Sequence, residues 1–390
     1  MTTIYFNQES STWGLQENEG LVWGFDKKRI PMIAPSPESV PFYVKRHERS
    51  LGPIVGLLTS DHSKKLFSGN KQTFRRIHDG LQQTGGLCFV ITPDTICYSQ
   101  LHGYVLINNN WVLTAIPLPD VIYNRVPTPR TEKSERMKRV FEWIKQMNIP
   151  FFNPHFFNKW DVHQTLSTEP TIANHLLFTD VVTSKETFRE ALANYKFLYL
   201  KPKEGQKGDG IFKLTTGPNQ TYLIHDHTTS VTLFSFESLW TSVNDKVDLS
   251  NYLLQEGIHL NQLNDKKYDF RILCHKVQGE WNTSGIGVRS SKGITTHVPK
   301  GGMILSLKDI SPPINFEKIN LLIATIGKRL EQSYGNLGEF SVDIGRDTTG
   351  RYWLFEVNAK PMIFDEPTIQ KQGLHNLIQA FYSESGYLEE

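Results

Sequence analysis

Residues 338–345 (GEFSVDIG) and 352–359 (YWLFEVNA) each alternate polar and apolar side chains with period two. A strand sends successive side chains to opposite faces. Phe340, Val342 and Ile344 therefore share one face of the first segment, and Glu339, Ser341 and Asp343 share the other. In the second segment Trp353, Phe355 and Val357 point one way, and Glu356 and Asn358 the other. The intervening Arg346-Asp347-Thr348-Thr349-Gly350 is polar and turn-forming, which predicts a hairpin. That pairing sets Asp343 beside Glu356 and Asn358. Two carboxylates about 4 Å apart repel by about 4 kcal/mol at a surface-like dielectric, and a hard divalent cation with oxygen ligands offsets the repulsion. Asp343, Glu356 and Asn358 are the predicted metal ligands. Magnesium is the expected ion, one or two in number, with manganese an acceptable substitute. Magnesium held by so few protein oxygens usually holds phosphates as well.

The chain has 390 residues, too many for one ordinary core, so two or three domains are expected. A net charge of +2 is too small to argue for a nucleic-acid partner. Cys88, Cys97 and Cys274 are scattered and lack metal spacing, so they read as free thiols of a reducing compartment. The N-terminal segment shows no basic stretch followed by an apolar one, and no apolar run reaches bilayer length. A cytoplasmic protein with no membrane partner is expected.

Residues 1–50 carry short aromatic pieces interrupted by Pro31, Pro35, Pro37 and Pro41, which predicts a β-rich appendage. Residues 51–148 read as an α/β unit. An apolar strand at 53–60, a helical pattern through Phe74, Ile77, His78 and Leu81, and a strand at 87–91 imply a parallel sheet. Residues 119–127 read as a polar loop able to contact substrate, and 131–148 as a helix with a basic, solvated outer face. Further on, the pattern predicts helices near 171–178 and 185–195 and a strand at 197–201. Strands at 252–258, 268–278 and 281–289 follow, then a helix buried through Ile319, Leu322, Ile323, Ile326 and Leu330, and a last helix over 367–383.

Lys201 ends an apolar strand and precedes Pro-Lys-Glu-Gly-Gln-Lys-Gly-Asp-Gly. Gly205, Gly208 and Gly210 allow a tight turn whose backbone N–H groups approach phosphate oxygens, with Lys201, Lys203 or Lys207 adding charge. A glycine-rich hairpin with a gatekeeper lysine explains the same residues. The spacing is neither that of the Walker loop nor that of the dinucleotide fingerprint. Gln255-Glu256-Gly257-Ile258 closes an apolar strand and offers an adenine the groups it needs; a strand running out into solvent reads the same way. Asp269 and Arg271 share one strand face, with Arg289 on the next strand. They suit either phosphate oxygens or a structural cross-strand pair. His297 sits in a loop, and Arg125 suits a carboxylate or a structural salt bridge equally.

The order of these parts resembles the ATP-grasp superfamily over about residues 150–385: lysine and glycine loop, Gln-Glu hinge, Asp-x-Arg, Arg, Asp, Glu-x-Asn. Asn158-Lys159-Trp160 is similar to an Asp-Lys-Trp element of that superfamily, with Asn in place of Asp, and makes Lys159 a second phosphate lysine. Leu118-Pro-Asp-Val-Ile-Tyr-Asn-Arg125, Lys201-Pro-x-x-Gly205 and Phe355-Glu-Val-Asn-Ala-Lys-Pro361 resemble the narrower YheC/YheD-like group associated with the spore coat of Bacillus-type bacteria.

The resemblance implies an α/β and α+β chain. A small parallel pre-ATP-grasp domain (51–148) would follow the appendage (1–50), and two α+β subdomains (149–258 and 259–390) would clamp ATP. It implies Lys159 and Lys201 on the α- and β-phosphates and the glycine loop closing over the β/γ-phosphates. Gln255 to Ile258 would line the adenine, with Glu256 or Asp269 reaching the ribose or supporting groups. Arg271 and Arg289 would act catalytically on the γ-phosphoryl. The implied activity is an ATP- and magnesium-dependent carboxylate–amine ligase working through an acyl-phosphate, on small-molecule or peptide carboxylates and amines. An ATP-grasp phosphotransferase, or a silent spore-coat protein keeping the fold, are the alternatives. Spore-coat proteins are then further candidate partners, and spore association a further location. Asn124, Arg125 and His297 would surround the substrate.

Overall fold

The computed structural model describes residues 1–96, 100–205 and 208–387; Cys97 and Lys207 lie outside them. The strands Thr2–Asn7, Thr12–Gly14 and Ser39–Val44 form a three-stranded antiparallel sheet. Its Trp13 packs on Phe42 with ring centroids 5.0 Å apart and meets Phe89 edge-on at 5.7 Å. The first fifty residues thereby share one core with the α/β unit that follows.

That unit is a six-stranded sheet. Its four strands Leu87–Ile91, Ile54–Leu58, Val121–Asn124 and Phe151–Phe152 run parallel, as the strand–helix alternation predicts. The hairpin His102–Ile107 and Asn110–Ala115 extends it antiparallel. Helix Lys71–Thr84, capped by the Asn70 side chain, buries Phe74, Ile77 and Leu81. The predicted loop at 119–127 instead contains the strand Val121–Asn124. Val121, Ile122 and Tyr123 are an unbroken apolar run, which a parallel sheet covered on both faces accommodates.

A second six-stranded sheet runs in the order Thr179–Val181, Tyr252–Glu256, Phe197–Pro202, Phe212–Thr216, Tyr222–His225, Ser230–Leu233, wholly antiparallel. Helices Lys185–Asn194 and Phe236–Lys246 close its core. The helix predicted near 171–178 is replaced by helix Lys159–Ser167, a single turn at Pro170–Ala173, and a chain leading into the edge strand. Asn158 starts the first helix by accepting from the N–H groups of Trp160 and Asp161. Its position is that of a helix cap, for which Asn serves as well as Asp.

The third sheet runs Met303–Leu305, Glu280–Ser291, Lys266–Val277, Glu339–Arg346, Tyr352–Asn358. Helix Phe316–Tyr334 covers one face through Ile319, Leu322, Ile323, Ile326 and Leu330, against Phe270, Ile272, Phe340, Val342 and Ile344. The final helix, Pro367–Glu384, lies against the two long strands of this sheet and against helix Lys71–Thr84.

Buried polar pins join the α/β unit to the third sheet. Asn153, in a left-handed conformation (φ 55°), is fully buried. It accepts from the Gly338 N–H (2.9 Å) and donates to the carbonyls of Glu339 (3.0 Å) and Ala359. Glu132 accepts from Lys360, from the Asn124 amide (2.8 Å) and from the Phe156 N–H (2.6 Å). Glu339 accepts from Tyr123, from Arg125 (3.2 Å) and, 3.3 Å away, faces His275. Asp120, almost fully buried, accepts from the Ile54 N–H at 2.8 Å.

Burial raises the Asp120 carboxyl to about 7, the Ile54 bond and Lys27 only partly opposing it. A carboxyl raised in the folded state binds its proton more tightly there than when unfolded. Its contribution is fully present below about pH 4 and is lost as pH rises through about 7. Denaturant unfolding is expected to give Asp120→Asn a gain over the parent that grows by about 2 kcal/mol from pH 5 to pH 8. A pH-independent difference would contradict this assignment.

Candidate active site

The cleft between the second and third sheets has a volume of about 960 Å³. Its floor is the polar face of the third sheet. Across four strands the register aligns Gly287, Arg271, Asp343 and Glu356 in one row. Asp343 and Glu356 are thus direct cross-strand neighbours, as the hairpin reading predicts. Asn358 is opposite Ser341, one step along the same ribbon. The Arg271 guanidinium stands 4.0 Å from the Asp343 carboxylate.

The alternation fails at one place. A bulge after Asp343 pairs Ile344 with Leu354, so that Leu354 and Val357 both enter the core while Phe355 turns to the cleft. The predicted shared face of Trp353, Phe355 and Val357 is corrected accordingly. Phe355 then lies across Gly345, where any Cβ would fall 2.2 Å from its ring.

The opposite wall carries the lysines. Lys159, at the start of its helix, reaches Glu356 (3.3 Å) and donates to the Gly205 carbonyl (3.1 Å). Lys201 donates to the Gln255 side chain, which in turn donates to the Thr179 hydroxyl (3.2 Å). Burial lowers the Lys201 ammonium to about 8; Glu356 supports its charge and Lys159 opposes it. Asp269 is raised to about 7 by burial and by Asp343, although Thr296 donates to it. Burial also raises Asp343, with Arg271 opposing and Glu356 adding to the rise.

The carboxylate pair with Asn358 fits a hard divalent cation. Two oxygen acids face each other, the second makes the first harder to ionise, and an amide oxygen stands one step away. Among the described residues no cluster of three or more His, Cys, Asp or Glu side chains is disposed to hold a metal ion; here the third donor is an amide.

Lys159, Lys201, Gly205, Gly208, Gln255, Glu256, Ile258, Asp269, Arg271, Arg289, Asp343, Glu356 and Asn358 all line the cleft. Lys203, Gly210 and Gly257 do not. Lys203 donates instead to the Ser250 carbonyl (2.7 Å), because its strand has turned outward beyond Lys201. Gly210, at φ 71°, faces Tyr252. Gly257 is a packing glycine whose Cβ would meet the Phe197 ring at 2.0 Å. The N–H groups of Glu256 and Gly257 bond the carbonyls of Phe178 (2.8 Å) and Phe197 (3.0 Å). Asn124 is buried in its bond to Glu132 and does not line the cleft. Arg125 lines the cleft but donates to Glu339, Tyr123 (3.2 Å) and the Pro361 carbonyl (3.2 Å). His297 also lines the cleft.

Lys267 was not singled out by the sequence. It lines the cleft, donates to the Ile294 carbonyl (2.8 Å) and is lowered to about 8 by burial. The signal was present, since Lys267 precedes Asp269 by two and shares its face. Thr296 and Phe355 had no such signal. One partners Asp269 through a loop, and the other depends on the bulge.

Two sheets that close on a cleft, one supplying Lys201 and a glycine loop, the other a carboxylate ribbon, with Lys159 at a helix start beside them, define an ATP-grasp fold. A family model described as YheC/D like ATP-grasp matches residues 148–385, and the chain belongs to that family. It is 30% identical over 359 residues to the endospore coat-associated protein YheD of Bacillus subtilis (strain 168), covering 87% of this chain and 79% of that protein. To the endospore coat-associated protein YheC of the same organism it is 27% identical over 287 residues, 70% of this chain and 78% of that one. In fold it is similar to the VanG D-Ala:D-Ser ligase of Enterococcus faecalis, with a TM-score of 0.52 and 12% identity over 85% of this chain and 99% of that one.

Lys201→Ala is expected to weaken magnesium-ATP binding about tenfold or more in calorimetry, with the unfolding temperature little changed; an unaltered affinity would remove Lys201 from the site. Glu356→Gln, nearly isosteric, is expected to keep the fold while abolishing the gain in ATP affinity that magnesium gives.

Proposed function

We propose that this chain is an ATP- and magnesium-dependent ligase joining a carboxylate to an amine through an acyl-phosphate. The observation that carries the reading is the direct opposition of Asp343 and Glu356 beneath Lys159 and Lys201. Magnesium held by Asp343, Glu356 and Asn358, with manganese a substitute, would neutralise and align the phosphate oxygens. Lys159 and Lys201 would hold the α- and β-phosphates. Lys201 is still mostly protonated at pH 7 and would regain charge stability as phosphate enters beside it. Gly205 and Gly208, with Gly210 shaping the turn, would bring backbone N–H groups to the β/γ-phosphates. Gln255, Glu256 and Ile258 would flank the adenine, and Asp269 would support the ribose side.

Arg271 and Arg289 would steady the phosphoryl group in flight. A carboxylate oxygen attacks the γ-phosphorus, the bond to the β–γ bridging oxygen breaks, and ADP leaves. The amine nitrogen then attacks the acyl carbon, and phosphate departs with its oxygen and carries away the amine proton. The residues supply position and charge, and a closed cleft protects the acyl-phosphate from water.

The division of the chain near residues 50, 148 and 258 belongs to this reading. Residues 149–258 would form one jaw and 259–390 the other, with the substrate end built by 51–148. Association with a spore coat, and a peptide or coat protein as one substrate, are proposed from the names of the relatives. No helix of the described residues is long and apolar enough to cross a membrane.

The test is ADP and phosphate release from ATP and magnesium in the presence of pooled amino acids and peptides. Amine-dependent release of both, lost on chelating the magnesium, is expected. A phosphorylated product without free phosphate would make the chain a phosphotransferase. Silence in every pool, with no nucleotide binding by calorimetry, would leave a spore-coat scaffold with the fold alone.

A further inference from the structure

Arg289, on the cleft wall, is held from behind by a residue outside that wall. Its Nη1 and Nη2 donate to the two carboxylate oxygens of Glu366 at 2.5 and 3.0 Å. Nη1 also reaches the Val288 carbonyl (3.3 Å), and Nη2 stands 3.7 Å from Asp365. The Arg289 side chain is only 7% exposed and that of Glu366 19%. Burial pushes the Glu366 carboxyl up, but the Arg289 guanidinium holds it below the usual range. Glu366 occupies the cap position of the final helix yet makes no side-chain cap bond; its carboxylate is committed to Arg289.

Two neighbours show that the pair is built in. The buried Phe364 ring lies 5.6 Å from the Arg271 guanidinium and 6.0 Å from that of Arg289, so both arginines rest against one surface. Gly287 stands opposite Arg271 in the catalytic row. A Cβ there would fall 2.6 Å from Glu366 Oε1 and 2.9 Å from Arg289 Nη1. The row is therefore continued, where the glycine leaves space, by the Arg289–Glu366 fork.

We propose that Glu366 is the positioning residue for Arg289. It fixes the guanidinium plane by an end-on bidentate bond and leaves the remaining N–H edge to the γ-phosphoryl. This rests on the ligase reading above. A long arginine side chain free on a strand surrenders rotamer entropy when it grips a phosphate. One already clamped surrenders little, and a pre-set donor needs no reorganisation as charge develops. The fork also cancels most of the arginine's net charge, so Arg289 contributes direction rather than bulk attraction for anions.

The test is calorimetry on the full chain with magnesium-ADP and with magnesium and the β,γ-imido analogue of ATP; the ratio of the two dissociation constants isolates the γ-phosphoryl. Glu366→Ala is expected to lower that ratio about tenfold while magnesium-ADP affinity stays within about twofold. Glu366→Gln, which keeps one acceptor, recovers part of it. Arg289→Ala matches Glu366→Ala, and the double variant falls no further, because the two act as one unit. Removing one partner of so buried a pair can cost the fold. Gly287→Ala, which displaces the fork and keeps both partners, is expected to lower the ratio too. An unchanged ratio in the folded Glu366 variant or in Gly287→Ala, or losses that multiply in the double variant, would overturn the proposal. A wild-type chain that binds neither nucleotide would overturn the ligase reading and this proposal with it, a result distinct from binding with an unchanged ratio.

Discussion

The site depends on one electrostatic constraint: two carboxylates, Asp343 and Glu356, are set face to face across a buried β-ribbon. Left to themselves they repel, and burial makes Asp343 costlier to ionise. The protein surrounds them with cations. Arg271 stands beside Asp343, Lys159 beside Glu356, and the buried Lys201 near both. Every one of these cations lines the same cleft. With the cleft empty, lysine and arginine balance the acids; in the proposed reading a divalent ion would take over that balance as phosphates draw the lysines toward themselves.

Such a balance requires a ribbon that does not move relative to its surroundings, and the buried polar pins provide that. Asn153 ties the ends of both ribbon strands, Glu132 and Lys360 form an almost wholly buried pair, and Glu339 collects Tyr123, Arg125 and His275. Burial lowers Lys360 to about 8, and Glu132 supports its charge. Breaking such a pair leaves a lone buried charge, which is far costlier than the pair is favourable. These contacts span the α/β unit and the third sheet and tie the two together.

The motifs that carry the family resemblance divide along this line. Glu356 and Asn358 line the cleft, whereas Asn124 and Tyr123, in the same short motifs, are structural pins, and Lys360 is a pin that also lines the cleft. Sequence alone cannot make that division, since an invested buried asparagine and a substrate-gripping one look alike in one dimension. Helical periodicity made the long helix through Ile319 and Leu330 legible, and period-two alternation did the same for the ribbon, its acid pair and the Asp269–Arg271 face. It failed where a single extra residue resets parity, which moved Phe355 into the cleft. It also failed at Val121-Ile122-Tyr123, where a short apolar run between prolines reads as loop until a parallel sheet is there to bury it. Lys203 and Lys201 differ by two residues and share a nominal face, yet the strand ends between them. Glu366 was unreadable because its partner is 77 residues away, across a fold that only the packing of the final helix creates.

The most direct test of the account is a crystal structure of the full chain with manganese and a non-hydrolysable ATP analogue, the ion located by its anomalous scattering. The account expects manganese about 2.1 Å from oxygens of Asp343, Glu356 and Asn358 and from phosphate oxygens of the nucleotide, with the triphosphate lying between the ribbon and Lys201. A metal peak elsewhere, or a nucleotide bound outside this cleft, would contradict it.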